Sequence, residues 1–437
     1  MKGIFKVVLL VIAIVLVCLF GVGWYVLHNP DRYLPKIVSY LEQRTGKQIA
    51  IRHIEIRVLP VSVRAYDIQV KNPKPFPAGN FLSVPRLYAR IELLPLLHGN
   101  VAVRTLVLHR PVIDFINDPD GLWNFQNPGA SKNKRTRLSM GVISDLQIEK
   151  GLLLGSNLID PADTPGPVVL KIQNFFADLR QVDFHASTVS RSSQPIAGTL
   201  SADAARFGKL HTTRLRSKLQ VTGKKLVFKD FLVNTHFGKA TGDFAFTFNR
   251  NVTSFDTKLH ATGVEVSHLL RDFQGGPPKL NGTMNADLHL TGTVEHNSNP
   301  LAGIRGSGQF AIFNGQLLSL GNNKKMAQMK RFRDPAAAGL PASAFSKFSG
   351  EMELGHHEIV NRRIGVNFYG IDIDTSGHLD EVNGAMDYRG LATILNKQGF
   401  FIDLLAEIFR GAKIRNGRMT FPLHLSGTVA NPKFVVH

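Results

Sequence analysis

The chain has 437 residues, 43% of them apolar and 19% charged, which excludes a disordered polymer and leaves room for two or three domains or one elongated one. A single cysteine, Cys18, excludes an intramolecular disulfide and a cysteine-based zinc site. The formal charge of +19, from 52 Lys and Arg against 33 Asp and Glu, suits either nucleic acid or an anionic lipid surface.

The N-terminus decides between these. Val7 to Leu27, "VVLLVIAIVLVCLFGVGWYVL", contains no charge, and such a run crosses a hydrocarbon core of about 30 Å at about 1.5 Å per residue. Lys2 and Lys6 precede it, and Trp24 and Tyr25 sit near its end as interfacial aromatics do. The run is too long for a cleavable signal, and no A-x-A site follows it. Residues 1–28 therefore read as an uncleaved single-pass anchor with a cytoplasmic N-terminus. The bulk of the chain is then expected outside the inner membrane, in the periplasm of a two-membrane bacterium. Nucleic acid is excluded as a partner on this reading.

After the anchor, Leu34, Ile37, Val38 and Leu41 recur at i, i+3, i+4 and i+7, and Gly46 stops the run. This spacing predicts a short amphipathic helix that caps the segment after it. Strands come next. "RLYARIEL" puts Leu87, Ala89, Ile91 and Leu93 on one face and Arg86, Tyr88, Arg90 and Glu92 on the other. "FINDPDGLWNF" then brings two acids and one of only two tryptophans together. Asp118, Pro119, Asp120 and Gly121 have the residue types of a tight turn, with Pro second and Gly fourth, and Trp123 is expected on the returning strand. The reading is a structural hairpin, not a catalytic acid pair.

Residues 127–137 form a polar, basic linker. Beyond it, "LQIEKGLLL", "FAIFNGQLLSL" and "AKIRNGRMTF" share an alternating strand with a Lys-Gly or Asn-Gly centre, which predicts hairpins. Two stretches break the rhythm as helices. One is the basic "SLGNNKKMAQMKRFR". The other is "LATILNKQGFFIDLLAEIFRGA", expected to lie across a sheet or on a membrane surface. The expected fold is mainly β: an elongated, twisted, mostly antiparallel sheet curling into an open groove, with a few short amphipathic helices. About twenty strands at ~4.8 Å would extend on the order of 90 Å. The divisions are the anchor at 1–28, an N-terminal β region with its capping helix at 29–128, a middle β-repeat region at 129–300 and a C-terminal region at 301–437.

Catalytic patterns are missing from the sequence. The Gly-Lys pairs at 208, 223 and 238 lack the spacing of a phosphate loop, and there is no G-x-S-x-G or H-E-x-x-H. "GSGQFA" opens a strand, not a helix. His356 and His357 stand without nearby ligands, and Asp372 and Asp374 alternate with isoleucines on a strand face. The expectation is a protein that is not an enzyme, with no cofactor and no metal.

Three stretches resemble a known family. "LLPLLHGNVAVRTLVLHRPVIDFINDPDGLWNF" is similar to the N-terminal region of AsmA-like envelope proteins, through Leu93, Leu94, Pro95, Leu96, Leu97, Gly99, Leu106, Leu108, Pro111, Ile113, Asp120, Gly121, Trp123 and Asn124. "LAGIRGSGQFAIFNGQLLSL" and "FPLHLSGTVANPKF" resemble the C-terminal region, through Pro422, Leu423, Gly427, Thr428 and Pro432. The resemblance spans roughly the first 125 and the last 140 residues on order and spacing. It implies a periplasmic β structure linked to outer-membrane maintenance, with larger relatives acting as bridge-like lipid carriers. The expected partners are membrane phospholipids with anionic headgroups favoured, and other envelope proteins. Leu87, Ala89, Ile91 and Leu93 are the groove-lining candidates. The alternative is a scaffold or assembly factor that influences outer-membrane protein targeting without carrying lipid.

Overall fold

The computed structural model describes residues 30–58, 60–92, 102–118, 123–124, 143–157, 168–182, 196–222, 225–248, 252–274, 276–295, 303–318, 333–355, 357–380, 382–395, 413–415, 418–428 and 432–436. The expected anchor, the linker at 127–137 and most of both expected later helices lie outside these residues. Among the described residues, no helix is long and apolar enough to cross a membrane. The chain divides into two units, Met1–Ala205 and Arg206–His437.

The first unit begins with a 3-10 turn over Pro30–Tyr33 and α1 (Leu34–Thr45), close to the expected helix. Gly46 ends it in the left-handed region at φ 66°, and its N–H donates to the Glu42 carbonyl at 2.7 Å. The strands of this unit are β1 (Ile49–Ala50), β2 (His53–Val58), β3 (Val61–Lys71), β4 (Asn80–Ile91), β5 (Val103–His109), β6 (Val112–Asn117), β7 (Ile143–Asn157), β8 (Val168–Val182) and β9 (Ile196–Phe207). β3 takes β1 and β2 on one side and β4 on the other, all antiparallel. β5 and β6 are in effect one strand broken at Arg110. Both lie antiparallel to β4 and parallel to β7. The ladder continues over the break, because Arg110 N–H donates to Glu149 O and Leu152 N–H to Pro111 O. A parallel neighbour requires the chain to travel back before β7 starts. β8 returns antiparallel to β7.

The second unit contains β10 (Leu210–Thr222), β11 (Lys225–Thr235), β12 (Gly238–Phe248), β13 (Val252–Glu265), α2 (Val266–Gln274), β14 (Leu280–Glu295), β15 (Ile304–Leu317), β16 (Ala344–Gly355), β17 (Glu358–Asn367), β18 (Ile371–Asp380), β19 (Ala385–Ile394), β20 (Lys413–Arg415), β21 (Arg418–Thr428) and β22 (Pro432–Val436). From β10 to β19 each strand pairs antiparallel with the next. β21 follows β19, and β20 and β22 share its far side. The mainly β, mostly antiparallel reading is therefore correct, with the parallel contacts of β7 as its exception.

Two expected hairpins are not hairpins. "LQIEKGLLL" lies within β7 and "FAIFNGQLLSL" runs through β15 and just past its end. Lys150 at φ 54° and Asn314 at φ 50° take the left-handed conformation inside these strands, and the pairing register shifts beside each. They are β-bulges, which demand the same residue types as a tight turn but let the strand continue with a bend. The third, "AKIRNGRMTF", is a hairpin: Arg415 pairs with Arg418 across a two-residue connection. A further correction concerns "LATI". Leu391 to Ile394 belong to β19, between β18 and β21, and not to a helix.

The core of the second unit is a row along one end of the sheet. Ile312, Phe345, Ile371, Ile373, Ala392, Met419 and Phe421 are buried there, with Val266 and Leu270 of α2 packed on them. Each fully buried Ile, Met or Phe contributes about 1.5–3 kcal/mol. Arg333 secures the connection ahead of β16. Its guanidinium donates to Phe368 O at 2.9 Å, Pro341 O at 2.8 Å and Ala344 O at 3.0 Å, and lies over the Tyr369 ring. Burial pushes its pKa below the ordinary arginine value.

Candidate functional site

Cross-strand register shows which side chains share a face. In the first unit, Ala65, Leu87, Leu108, Ile148 and Ala177 are successive partners across β3, β4, β5, β7 and β8. Val63, Ala89, Leu106, Leu146 and Leu179 form the next row. Leu87 and Ala89 thus stand in continuous apolar rows, half-buried, while Arg86 and Arg90 on the opposite face are exposed. Ile91 is also half-buried, but the register shifts between Arg90 and Ile91, so it pairs with Val103. Leu93 lies outside the described residues.

The second unit repeats the arrangement on a larger scale. Gly242, Leu259, Leu288, Gly308 and Met352 are successive partners across β12 to β16. Phe244, Thr257, Leu290, Gly306 and Leu354 form the neighbouring row. Leu259, Leu288, Met352, Phe244, Leu290 and Leu354 remain half-exposed. A cavity of about 570 Å³ follows the first row; it is lined by all five of its residues and by polar neighbours that include Lys258, His260, Asp287, Glu351 and Arg362. That is the size range of sites for small organic ligands.

Glycines shape this face. A Cβ built on Gly350 would lie 2.8 Å from Phe310 Cε1, one on Gly292 2.6 Å from Phe255 Cε1, and one on Gly306 2.9 Å from Leu290 Cδ2. Large side chains therefore lie flat over the bare backbone of the next strand. The outcome is a low, smooth apolar surface in place of an upright one.

The opposite face is polar and neutralised in pairs. His260 contacts Asp287 across β13 and β14, and His289 Nε2 lies 3.0 Å from Asp256 Oδ1. His424 Nε2 lies 2.8 Å from Asp387 Oδ1, and Arg363 Nε donates to Asp374 at 3.1 Å. The His260 hydrogen bond, then that of Gln309, holds the Asp287 carboxyl below its ordinary value; His424 does the same for Asp387. Asp372 accepts from Asn367 Nδ2 at 2.6 Å. Asp372 and Asp374 are thus each engaged with a neighbour on the polar face.

At the tryptophan turn the chain does reverse: Asn117 and Trp123 form an antiparallel bridge, and Asn124 N–H donates to Ile116 O at 2.9 Å. Among the described residues this one bridge marks the return. Asp118 is buried, and Pro119, Asp120 and Gly121 lie outside the described residues. Trp123 is only half-buried, set edge-on to Phe115 at 6.5 Å. The residue that pins the turn is Asn124, fully buried. Its Nδ2 donates to Asp114 O at 2.7 Å and Asn72 Oδ1 at 2.9 Å, and its Oδ1 accepts from Ile116 N–H at 3.1 Å. Lys47, just past α1, donates to Asn124 O at 2.9 Å.

This knot, with the strands before it and the start of β7, falls inside a known pattern. Residues 1–154 match the model of the AsmA family. Over this stretch the chain is similar to the AsmA family. The match covers α1, β1 to β6 and most of β7, and so includes Leu87, Ala89, Ile91, Asn124 and the parallel crossover. A comparison with curated proteins gives no match. Sequence reading missed three things: α2, the buried Arg333 and the bulges. For α2 a signal existed, since Val266, Leu269 and Leu270 fall at i, i+3 and i+4.

Proposed function

We propose that this chain is a membrane-anchored AsmA-like protein of the cell envelope, its bulk in the periplasm, that holds or transfers phospholipid along the apolar face of its β structure and so contributes to outer-membrane biogenesis. The observation that carries this reading is the half-exposed row Gly242–Leu259–Leu288–Gly308–Met352 with its cavity. A contiguous apolar strip left open to solvent marks a binding surface, and acyl chains are the flexible apolar ligand that a shallow strip suits. The charge-free Val7–Leu27 run and the AsmA match support the anchor and the envelope setting. The +19 charge favours anionic headgroups. The reading needs no catalytic step.

A non-carrying scaffold is the second reading. The closed cluster around Ile371, Met419 and Phe421 favours it, because that part of the sheet is an ordinary buried core. Photo-crosslinkers at Leu288 and at Asp256 on the polar face separate the two in cells. The carrier reading expects phospholipid adducts at Leu288 and at Ile91, and few at Asp256. Absence of lipid at Leu288 and Ile91, at normal protein level, leaves the scaffold.

A further inference from the structure

In the second unit, β11 and β12 are joined by His236 and Phe237, at φ 43° and 66°, with Thr235 paired to Gly238. Two successive left-handed residues make the turn type that prefers Asn-Gly, so a phenylalanine here is conformationally costly. Packing gives little in return. Phe237 is 87% exposed, its ring edge-on to His268 of α2 at 5.6 Å. A cavity of about 560 Å³ adjoins the turn, lined among others by His211, Thr213, Asn234, Thr235, Lys239 and Thr262. That lining offers one cation, Lys239, the three hydroxyls of Thr213, Thr235 and Thr262, and the Asn234 amide.

The antiparallel order places alternate connections on one edge of this sheet. Lys209, Lys239, Arg271 and Lys279 are exposed along the edge that carries Phe237, as are Leu318 and Leu340 at 39% and 37%. Three acids lie on this edge: Asp272 Oδ2 is 3.2 Å from His236 Nε2, Glu265 accepts from the Thr283 hydroxyl at 3.1 Å in an exposed contact, and Asp334 is exposed. An exposed aromatic ring beside basic groups has the chemistry of a bilayer interface with anionic headgroups.

We propose that the His236–Phe237 turn is a membrane-docking tip: Phe237 enters the interfacial layer of an anionic phospholipid bilayer, and the polar cavity beside it receives a lipid phosphate. The tip does not depend on lipid being carried along the apolar face.

The test uses the full chain in neutral phosphatidylcholine nanodiscs, with Cys18→Ser and Phe237→Cys carrying an environment-sensitive dye. Vesicles of phosphatidylcholine and phosphatidylglycerol are then added. The expected result is a blue shift that Lys239→Glu removes and high salt weakens. Melting temperatures should not change, because both side chains are exposed. An unchanged emission overturns the proposal. Equal shifts with neutral vesicles also overturn it, as does an equal shift from a dye at Val382, which is 77% exposed on the opposite edge. If inorganic phosphate raises the melting temperature while vesicles leave the dye unchanged, the cavity serves a free anion and the docking role fails. A shift at 237 with no lipid captured at Leu288 keeps the tip and removes the trough.

Discussion

Asn124→Ala should damage the N-terminal unit more than Trp123→Ala does. Asn124 is fully buried, and truncation removes its three side-chain hydrogen bonds, to Ile116 N–H, Asp114 O and Asn72. Each such bond is worth about 1 kcal/mol net, and a buried donor left unmade costs about 1–3 kcal/mol. The expected loss is on the order of 3 kcal/mol. The indole of Trp123 is half-buried, so its removal costs about 1–2 kcal/mol, well below the value for a full core aromatic. Amide exchange at Ile116 reads the effect locally, because that N–H has Asn124 Oδ1 as acceptor. A loss of 3 kcal/mol accelerates it by about two orders of magnitude. Unchanged exchange at Ile116, or a larger destabilisation from Trp123→Ala in denaturant unfolding, would refute the assignment of the turn to the asparagine.

Asp31 fastens the turn ahead of α1 to β2: it accepts from Ile54 N–H at 3.1 Å and contacts His53 Nδ1 at 2.7 Å. The Ile54 bond first, then His53, holds its carboxyl below the ordinary value. A depressed pKa stabilises fully above the unfolded-state value and is lost as pH falls through the folded one. The melting difference between wild type and Asp31→Asn should therefore be present at neutral pH and vanish in acid; a difference that persists in acid contradicts this. Gly350→Ala should lift the Phe310 ring from the backbone and disturb its edge-on contact with Phe348 at 5.3 Å, at a cost of about 1–3 kcal/mol. Phe310→Leu should recover part of that loss in the double variant, and strict additivity of the two changes in unfolding would show that the ring does not occupy the glycine's space.

Much of the fold was legible because period 2 is a direct consequence of the pleat. "RLYARIEL" named Leu87 and Ala89 as one face, and both stand in apolar rows that continue across five strands. What failed was the reading of interruptions. Lys-Gly and Asn-Gly mark a left-handed residue, and both a tight turn and a bulge require one. Only the partner strand distinguishes them, and partners are remote in sequence. The same limit hid the helix-to-strand correction at Leu391: four apolar residues at the head of a helical pattern are held as β19 by ladders on both sides. Trp123 stood out in the sequence by rarity. Asn124 matters more in the structure because it satisfies backbone groups of β6, a need that composition does not display.

Bulges and glycines together explain how an apolar face stays open. Lys150, Asn174, Arg214, Asp230 and Asn314 each adopt φ near 50° within a strand, and register shifts accompany them. Each adds a bend and local twist, so the ladder persists while the strand changes direction. On the face itself, Phe310, Phe255 and Leu290 lie down over Gly350, Gly292 and Gly306. Side chains that lie flat offer no knobs for a second sheet to interdigitate with, and interdigitation is what holds two packed sheets about 10 Å apart. Such a face is poorly matched to a rigid protein layer but can meet a flexible chain along its whole length. The scaffold reading would call for upright, close-fitting side chains at Leu259, Leu288 and Met352; the neighbouring glycines at 242 and 308 leave that row low and half-exposed.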